Sequence, residues 1–398
     1  MNTMKVQRDV AIAALLALLA GASGTALAEE RPAAWPTRGW PTATPAAHGL
    51  RAEALEAFAQ DLAGDAHGYV DGMLVVRHGA VVFERAFPRD YDAPFAAAPD
   101  RTRGPYNYYD PDWHPYYRRG PLHTMQSVTK SVTSALVGIA LRRGEIASVE
   151  APALDFFTGY RLPSEPRWRR MRLRDLLTMT AGIAWDEEKV PYTDPANDCA
   201  QMEKSADWVR FVLDKPMAAE PGRVFVYNSG ATQLLSQVLK KATGQQADAY
   251  AARHLFGPLG IRDFHWKRTP TGHPDTEGGL YLAPRDLARL GLLYVRDGVW
   301  EGRRLLPPGW VEASTAPLAR TAADANALRY GYQWWVLPDP EAAGGRRYAA
   351  LGYGGQRLLV VPALDLVAVF TGWNIYDKPA LSPALALRRV LEAVEAQP

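Results

Sequence analysis

The sequence predicts an α+β protein: one antiparallel sheet built from both chain ends, flanked by helices, with a mostly helical insertion. Three observations predict it. β-rich runs occur near residues 73–87 and again beyond residue 330. The stretch between them carries apolar residues at helical spacing. The turns inside each β-rich region are short, as hairpins require and parallel crossovers do not allow. With 398 residues, one large or two closely packed domains is the expected organisation. The residues divide as 1–28 signal peptide, 29–48 irregular segment, 49–155 with 275–398 sheet domain, and 156–274 mostly helical domain.

The elements follow in order. Lys5 and Arg8 precede an apolar run from Val10, and Ala26-Leu27-Ala28 is a small-x-small cleavage site, so 1–28 reads as a secretory signal. Val10 to Ala28 is uncharged and just long enough to span a bilayer, which leaves an uncleaved anchor as the alternative. The expected location is therefore the periplasm or the extracellular space, with no stable membrane insertion after cleavage. Residues 29–48 are rich in Pro and Ala. Leu50, Leu55, Phe58 and Leu62 have helical spacing. "GMLVVRHGAVVFERAF" gives strands at Met73–Arg77 and Val81–Phe87, with a hairpin at His78-Gly79-Ala80. An aromatic loop follows over 88–122, with Tyr106, Tyr108, Tyr109, Trp113, Tyr116 and Tyr117. It either lines a pocket or pins a loop to the surface.

"QSVTKSVTSALVGIAL" is a buried helix. "LRDLLTMTAGIAW" is a helix stopped by Gly182. Helices Ala206–Leu213, Ala231–Thr243 and Ala247–Phe256 come next, then "APRDLARLGLLYVRDG". "YGYQWWVL", "QRLLVV" and "LVAVFTG" are strands, the last two joined by a turn at Pro362–Asp365, and Ser382–Ala396 is the closing helix.

Composition excludes some functions. Net charge is +2 without a Lys/Arg block, so nucleic-acid binding is not expected. Cys199 is the sole cysteine, and it reads as an unpaired thiol packed in a loop. No His-x-x-x-His or Cys/His cluster occurs, so no metal and no cofactor is expected.

The chemistry concentrates in three places. Val128, Val132, Ala135, Leu136 and Ile139 form one face of the buried helix, and Ser127, Lys130, Ser131 and Ser134 share another. A serine at the first turn lies one turn from the lysine ammonium. A lysine in a dry site loses preference for its charged form and can then accept the serine proton. An N-cap serine beside a snorkelling lysine would leave the same pattern. "FVYNSG" places Tyr227 and Ser229 before another helix; the tyrosine suits proton transfer or a buried hydrogen bond. "LGYGGQRLLVV" opens a strand with Gly354-Gly355, which marks a close approach to the backbone or a bulge.

Ser-x-x-Lys, then Tyr-x-Ser about a hundred residues on, then a Gly-containing strand is the order of serine β-lactamases and penicillin-binding proteins. The chain resembles the class C β-lactamase-related family of serine hydrolases. That group includes class C β-lactamases, D-stereospecific peptidases, family VIII esterases and 6-aminohexanoate-dimer hydrolases. "SVTKSVTSALVGIAL", "LLTMTAGIAWD", "PGRVFVYNSG", "FGPLGI", "GLYLAPRDLARLGLLYVRDG" and "GYGGQRLLVVPALDLVAVFTG" carry the resemblance over roughly residues 70 to 375. It implies an active site between sheet and helical region. Ser127 would be the acylated nucleophile, Lys130 its base and Tyr227 part of the proton relay beside Ser229. The backbone N–H groups of Ser127 and Gln356 would form the oxyanion hole, and Gly354 and Gly355 would let substrate lie along the strand. Two positions depart from the β-lactamase pattern. Tyr353-Gly354-Gly355 replaces Lys-Thr-Gly, and Ser229 replaces an Asn. The implied activity is ester or amide hydrolysis of a small molecule. D-alanyl carboxypeptidase, D-aminopeptidase or true β-lactamase activity is the alternative, and a slow-turnover sensor is the second. Oligomeric state is not legible.

Overall fold

The structure, a computed structural model, describes residues 35–395 except 65, 92–114, 116, 119, 193, 322–327, 339–344 and 376–379. The signal segment 1–28 and most of the aromatic loop fall outside the described residues. In chain order the strands are β1 Val70–Arg77, β2 Ala80–Ala86, β3 Tyr117–Arg118, β4 Leu122–Thr124, β5 His265–Trp266, β6 Leu280–Leu282 and β7 Val299–Trp300. They continue with β8 Arg303–Arg304, β9 Ala319–Arg320, β10 Arg329–Tyr330, β11 Trp335–Leu337, β12 Arg347–Gly352, β13 Gln356–Val361 and β14 Leu366–Gly372. An 8-stranded sheet runs in the order β2-β1-β14-β13-β12-β11-β10-β9, and its neighbours are antiparallel. The two chain ends meet where β1 pairs β14, with Val75 opposite Ala368. The expected α+β class with a two-ended antiparallel sheet is therefore present.

Alternation of side chains puts each strand into two cores. Leu74, Val76, Leu358, Val360, Val367 and Val369 belong to the core shared with the Val128–Arg142 and Pro284–Val295 helices. Met73, Val75, Leu359, Val361, Ala368 and Phe370 face the other way, into a core with residues of the Ala52–Ala63 and Pro383–Glu392 helices. Both faces are covered, which explains why β14 is buried at every residue. The β1–β2 turn has His78 at φ 50° and Gly79 at φ 76°, the left-handed pair that suits the twist of a tight hairpin.

Several details differ from the sequence expectation. A second sheet, 4-stranded in the order β3-β4-β6-β5, comes from the middle of the chain; its strands are too short to show periodicity. "YGYQWWVL" is not one strand, because Gln333 adopts φ 63° between β10 and β11. The helix in "LRDLLTMTAGIAW" spans only Leu173–Leu177. Met179 at φ 59° breaks it before Gly182 is reached. Cys199 sits in the Asp198–Lys204 helix, not in a loop, where its Asn197 cap accepts from the Cys199 and Ala200 N–H groups.

Candidate active site

The Val128–Arg142 helix is buried along its length, from Val128 to Ala140. It therefore has no solvated face on which a lysine could snorkel. The chain enters it from β4 through Gln126, which is held at φ 47°. A non-glycine residue in that region is strained, and such strain concentrates where a side chain must be presented at one angle. Ser127 follows at φ −61° and makes no side-chain cap. Its hydroxyl is left to Lys130, whose Nζ donates to Ser127 Oγ at 3.0 Å.

The other two polar residues of that face point elsewhere. Ser131 Oγ donates to the Gln333 carbonyl at 2.6 Å, and Ser134 lies against Tyr294. Of the quartet, only Ser127 and Lys130 meet.

Tyr227 comes from the segment before the Ser229–Thr243 helix, which Asn228 caps by accepting from Ala231 N. The Lys130 Nζ stands 5.3 Å from the Tyr227 ring centroid, and the Tyr227 hydroxyl interacts with Ser127. Trp335 stacks on the same ring with centroids 5.7 Å apart. The structure thus brings Ser127, Lys130 and Tyr227 together.

Ser229 is close by but committed to a residue the sequence did not single out. Its Oγ donates to Glu187 Oε1 at 2.8 Å and its N–H to Glu187 Oε2 at 2.7 Å. Trp185 Nε1 and the Tyr192 hydroxyl donate to the same carboxylate. Glu277 is the second such residue: its Oε2 lies 3.0 Å from Lys130 Nζ and its carbonyl oxygen 2.8 Å. The sequence singled out neither acid. The weak signal for Glu277 was an acid directly before Gly278-Gly279 and β6.

The Gly-rich turn lies beside this cluster. A Cβ on Gly352 would run into the Met125 carbonyl oxygen, two residues before Ser127. Gly354 at φ 79° and Gly355 at φ 113° make the turn into β13. A Cβ on Gly354 would meet the Trp373 ring at 2.6 Å, so glycine is required there on both counts. The Gln356 side chain donates to the Tyr353 and Gly372 carbonyls, which locks the turn onto β14. The Tyr353 ring packs 5.2 Å from that of Tyr192 and 6.3 Å from that of Trp373.

The electrostatics correct one expectation. Burial does push the Lys130 ammonium down and is the largest single influence on it, but Tyr227, Glu277 and Glu187 together raise its pKa above the ordinary value. With the Glu277 carboxylate 3.0 Å from Nζ, this direction favours the ammonium form of Lys130 over the neutral amine that burial alone suggested. Burial pushes the Tyr227 hydroxyl up to about 12, against the pull of Lys130. Glu187 is raised by burial. Glu277 is lowered, because the Lys130 charge and hydrogen bond outweigh its burial. Cys199, Glu203 and Glu277 place ligand-type atoms within 4.8 Å of one another. Lys130 pairs with Glu277, while burial and the neighbouring acids Glu277 and Asp275 push the Glu203 carboxyl well above the ordinary range.

Comparison with known proteins places this arrangement. The family model described as Beta-lactamase matches residues 53–374. The chain is similar to the 6-aminohexanoate-dimer hydrolase of Paenarthrobacter ureafaciens, 26% identical over 64% of this chain and 68% of that protein. Its fold is similar to that of a family VIII carboxylesterase (TM-score 0.64, 14% identity, 89% of this chain and 98% of the other). It is likewise similar to an octameric penicillin-binding protein homologue from Pyrococcus abyssi (TM-score 0.62, 16% identity, 85% and 77% covered). Matched along most of its length and folded as these proteins are, the chain belongs to the beta-lactamase family.

Proposed function

We propose that this chain is an exported serine hydrolase that cleaves a small neutral ester or amide through an acyl-enzyme on Ser127. The observation that carries the reading is the 3.0 Å contact between Lys130 Nζ and Ser127 Oγ at a strained turn into a buried helix. Ser127 is half-buried while Lys130 is 1% exposed, so substrate reaches the hydroxyl and water does not reach the ammonium. Ser127 Oγ attacks the carbonyl carbon, and Lys130 and Tyr227 carry the proton from Oγ to the leaving group. The backbone N–H groups of Ser127 and Gln356 hold the oxyanion, a contribution of about a hundredfold or more in rate. Water then attacks the acyl-enzyme and restores Ser127.

The names of the relatives support ester or amide chemistry. A neutral substrate is favoured by Tyr353, an aromatic ring where β-lactamases carry a lysine for the substrate carboxylate. An anion entering there loses hydration that a ring does not replace. Export rests on the sequence of residues 1–28. Among the described residues no helix is long and apolar enough to cross a membrane.

The test is labelling with a fluorophosphonate probe together with turnover of p-nitrophenyl esters, linear amides and nitrocefin. Wild type should label once per chain and turn over esters or amides, and Ser127→Ala should do neither while keeping its fold. Activity retained in Ser127→Ala defeats the mechanism. Labelling without turnover on any of these substrates makes the chain a sensor.

A further inference from the structure

Lys130 Nζ has three acceptors in reach: Ser127 Oγ at 3.0 Å, the Glu277 carbonyl at 2.8 Å and Glu277 Oε2 at 3.0 Å. The Ser127 hydroxyl can donate as well as accept, so the count alone fits an amine too; the carboxylate oxygen of Glu277 against a buried Nζ is what favours the ammonium. As an ammonium, however, Lys130 has no lone pair with which to take the Ser127 proton. A further acceptor is needed, and Glu277 Oε2 is the carboxylate oxygen that touches Nζ. Glu277 is 5% exposed and is set by the turn before β6.

The groups around Glu277 come from every neighbouring element. Lys267, Asp275 and Glu203 act on its carboxylate from the β5 side and the Asp198–Lys204 helix. Cys199 Sγ lies 3.9 Å from Oε1. Glu187 and Tyr227 complete the ring of titratable groups on the Ser127 side, linked to Lys130 and Glu277.

We propose that Glu277 is the positioning residue of Lys130 and the end of its proton relay: its carboxylate aims Nζ at Ser127 and accepts a proton from Nζ as Ser127 attacks. This rests on the acyl-enzyme reading. The Ser127 O–H bond breaks and its proton joins Nζ while an Nζ proton joins Glu277 Oε2. The Oγ electron pair forms the new bond to the carbonyl carbon, and the carbonyl π pair becomes the oxyanion. Lys130 remains a cation throughout, facing the developing negative charge. When the tetrahedral intermediate collapses, the proton returns through Nζ to the departing oxygen or nitrogen, and Glu277 is again a carboxylate.

The experiment is Glu277→Gln, which keeps the size and an acceptor oxygen but takes no proton. With a p-nitrophenyl ester, kcat at neutral pH should fall by about 100-fold or more, with KM changed by less than about threefold. Activity should return only as pH is raised and hydroxide replaces the relay. An unchanged kcat, or an ascending limb moved to lower pH with a faster neutral rate, overturns the proposal, because Glu277 would then only burden Lys130 with charge. A second measurement needs no variant. A proton inventory of single-turnover acylation by wild type in H2O/D2O mixtures should be bowed, since two protons move together. A straight line overturns the relay even if Glu277→Gln fails to fold. If the enzyme still labels at Ser127, a straight inventory removes the relay alone; loss of labelling would remove the acyl-enzyme reading itself.

Discussion

Asp71→Asn tests the frame that holds the strand leading to Ser127. Asp71, on β1, is 7% exposed. It accepts from His123 Nε2 at 3.0 Å, from the Tyr91 hydroxyl at 2.8 Å and from Thr371 Oγ1. His123 is on β4, the strand that runs to Gln126 and Ser127, and its Nδ1 meets the Thr124 carbonyl at 2.9 Å. Burial alone would push the Asp71 carboxyl up. The His123 charge and the hydrogen bonds from His123, Thr371 and Tyr91 outweigh it and hold the group at about 2, against 3.8 ordinarily. At about 1.4 kcal/mol per tenfold change in proton affinity, this is about 2.5 kcal/mol of stability at neutral pH. Because the folded value is the lower one, that stability is complete above the unfolded value and is lost as pH falls from about 4 through about 2. Urea unfolding followed by tryptophan fluorescence at a series of pH values measures it. Wild type should exceed Asp71→Asn by about 2–3 kcal/mol near neutrality, and the two curves should converge toward pH 2. A difference below about 0.5 kcal/mol at neutral pH, or one that does not shrink with acid, refutes the argument.

Other outcomes follow from the site. Lys130→Ala should lower kcat by about a thousandfold or more and also weaken the fold by about 3 kcal/mol, since Glu277 and Glu187 lose their counter-charge; adding Glu277→Gln should recover stability without activity in paired unfolding and rate measurements. Lys130→Arg should be as inactive, because a guanidinium does not give up a proton at working pH. Tyr227→Phe should leave KM within about threefold and slow acylation, deacylation or both in stopped-flow traces; a raised KM with unchanged turnover would make the ring a pocket wall. Wild type should process small neutral esters with far better kcat/KM than benzylpenicillin, and Tyr353→Lys should narrow the gap through a lower KM for the penicillin.

Much of this protein was legible in its residues. The short continuous apolar runs in "GMLVVRH" and "QRLLVV" marked strands without alternation, because both faces of this sheet are covered. His78-Gly79 announced its hairpin, because few residues accept a left-handed backbone. Ser127, Lys130 and Tyr227 stood out through local spacing and family likeness, and the fold brings their side chains close to one another. The charge state of Lys130 was not legible. Burial, a property of one helix, argued for a neutral amine. The carboxylates that reverse it lie 147 residues away at Glu277 and on the Glu187 loop. Nothing local in the chain couples Lys130 to Glu277. Only the tertiary fold, which seats the turn before β6 against the helix, decided it, because the Coulomb attraction that keeps Lys130 charged depends on distance in space rather than along the chain.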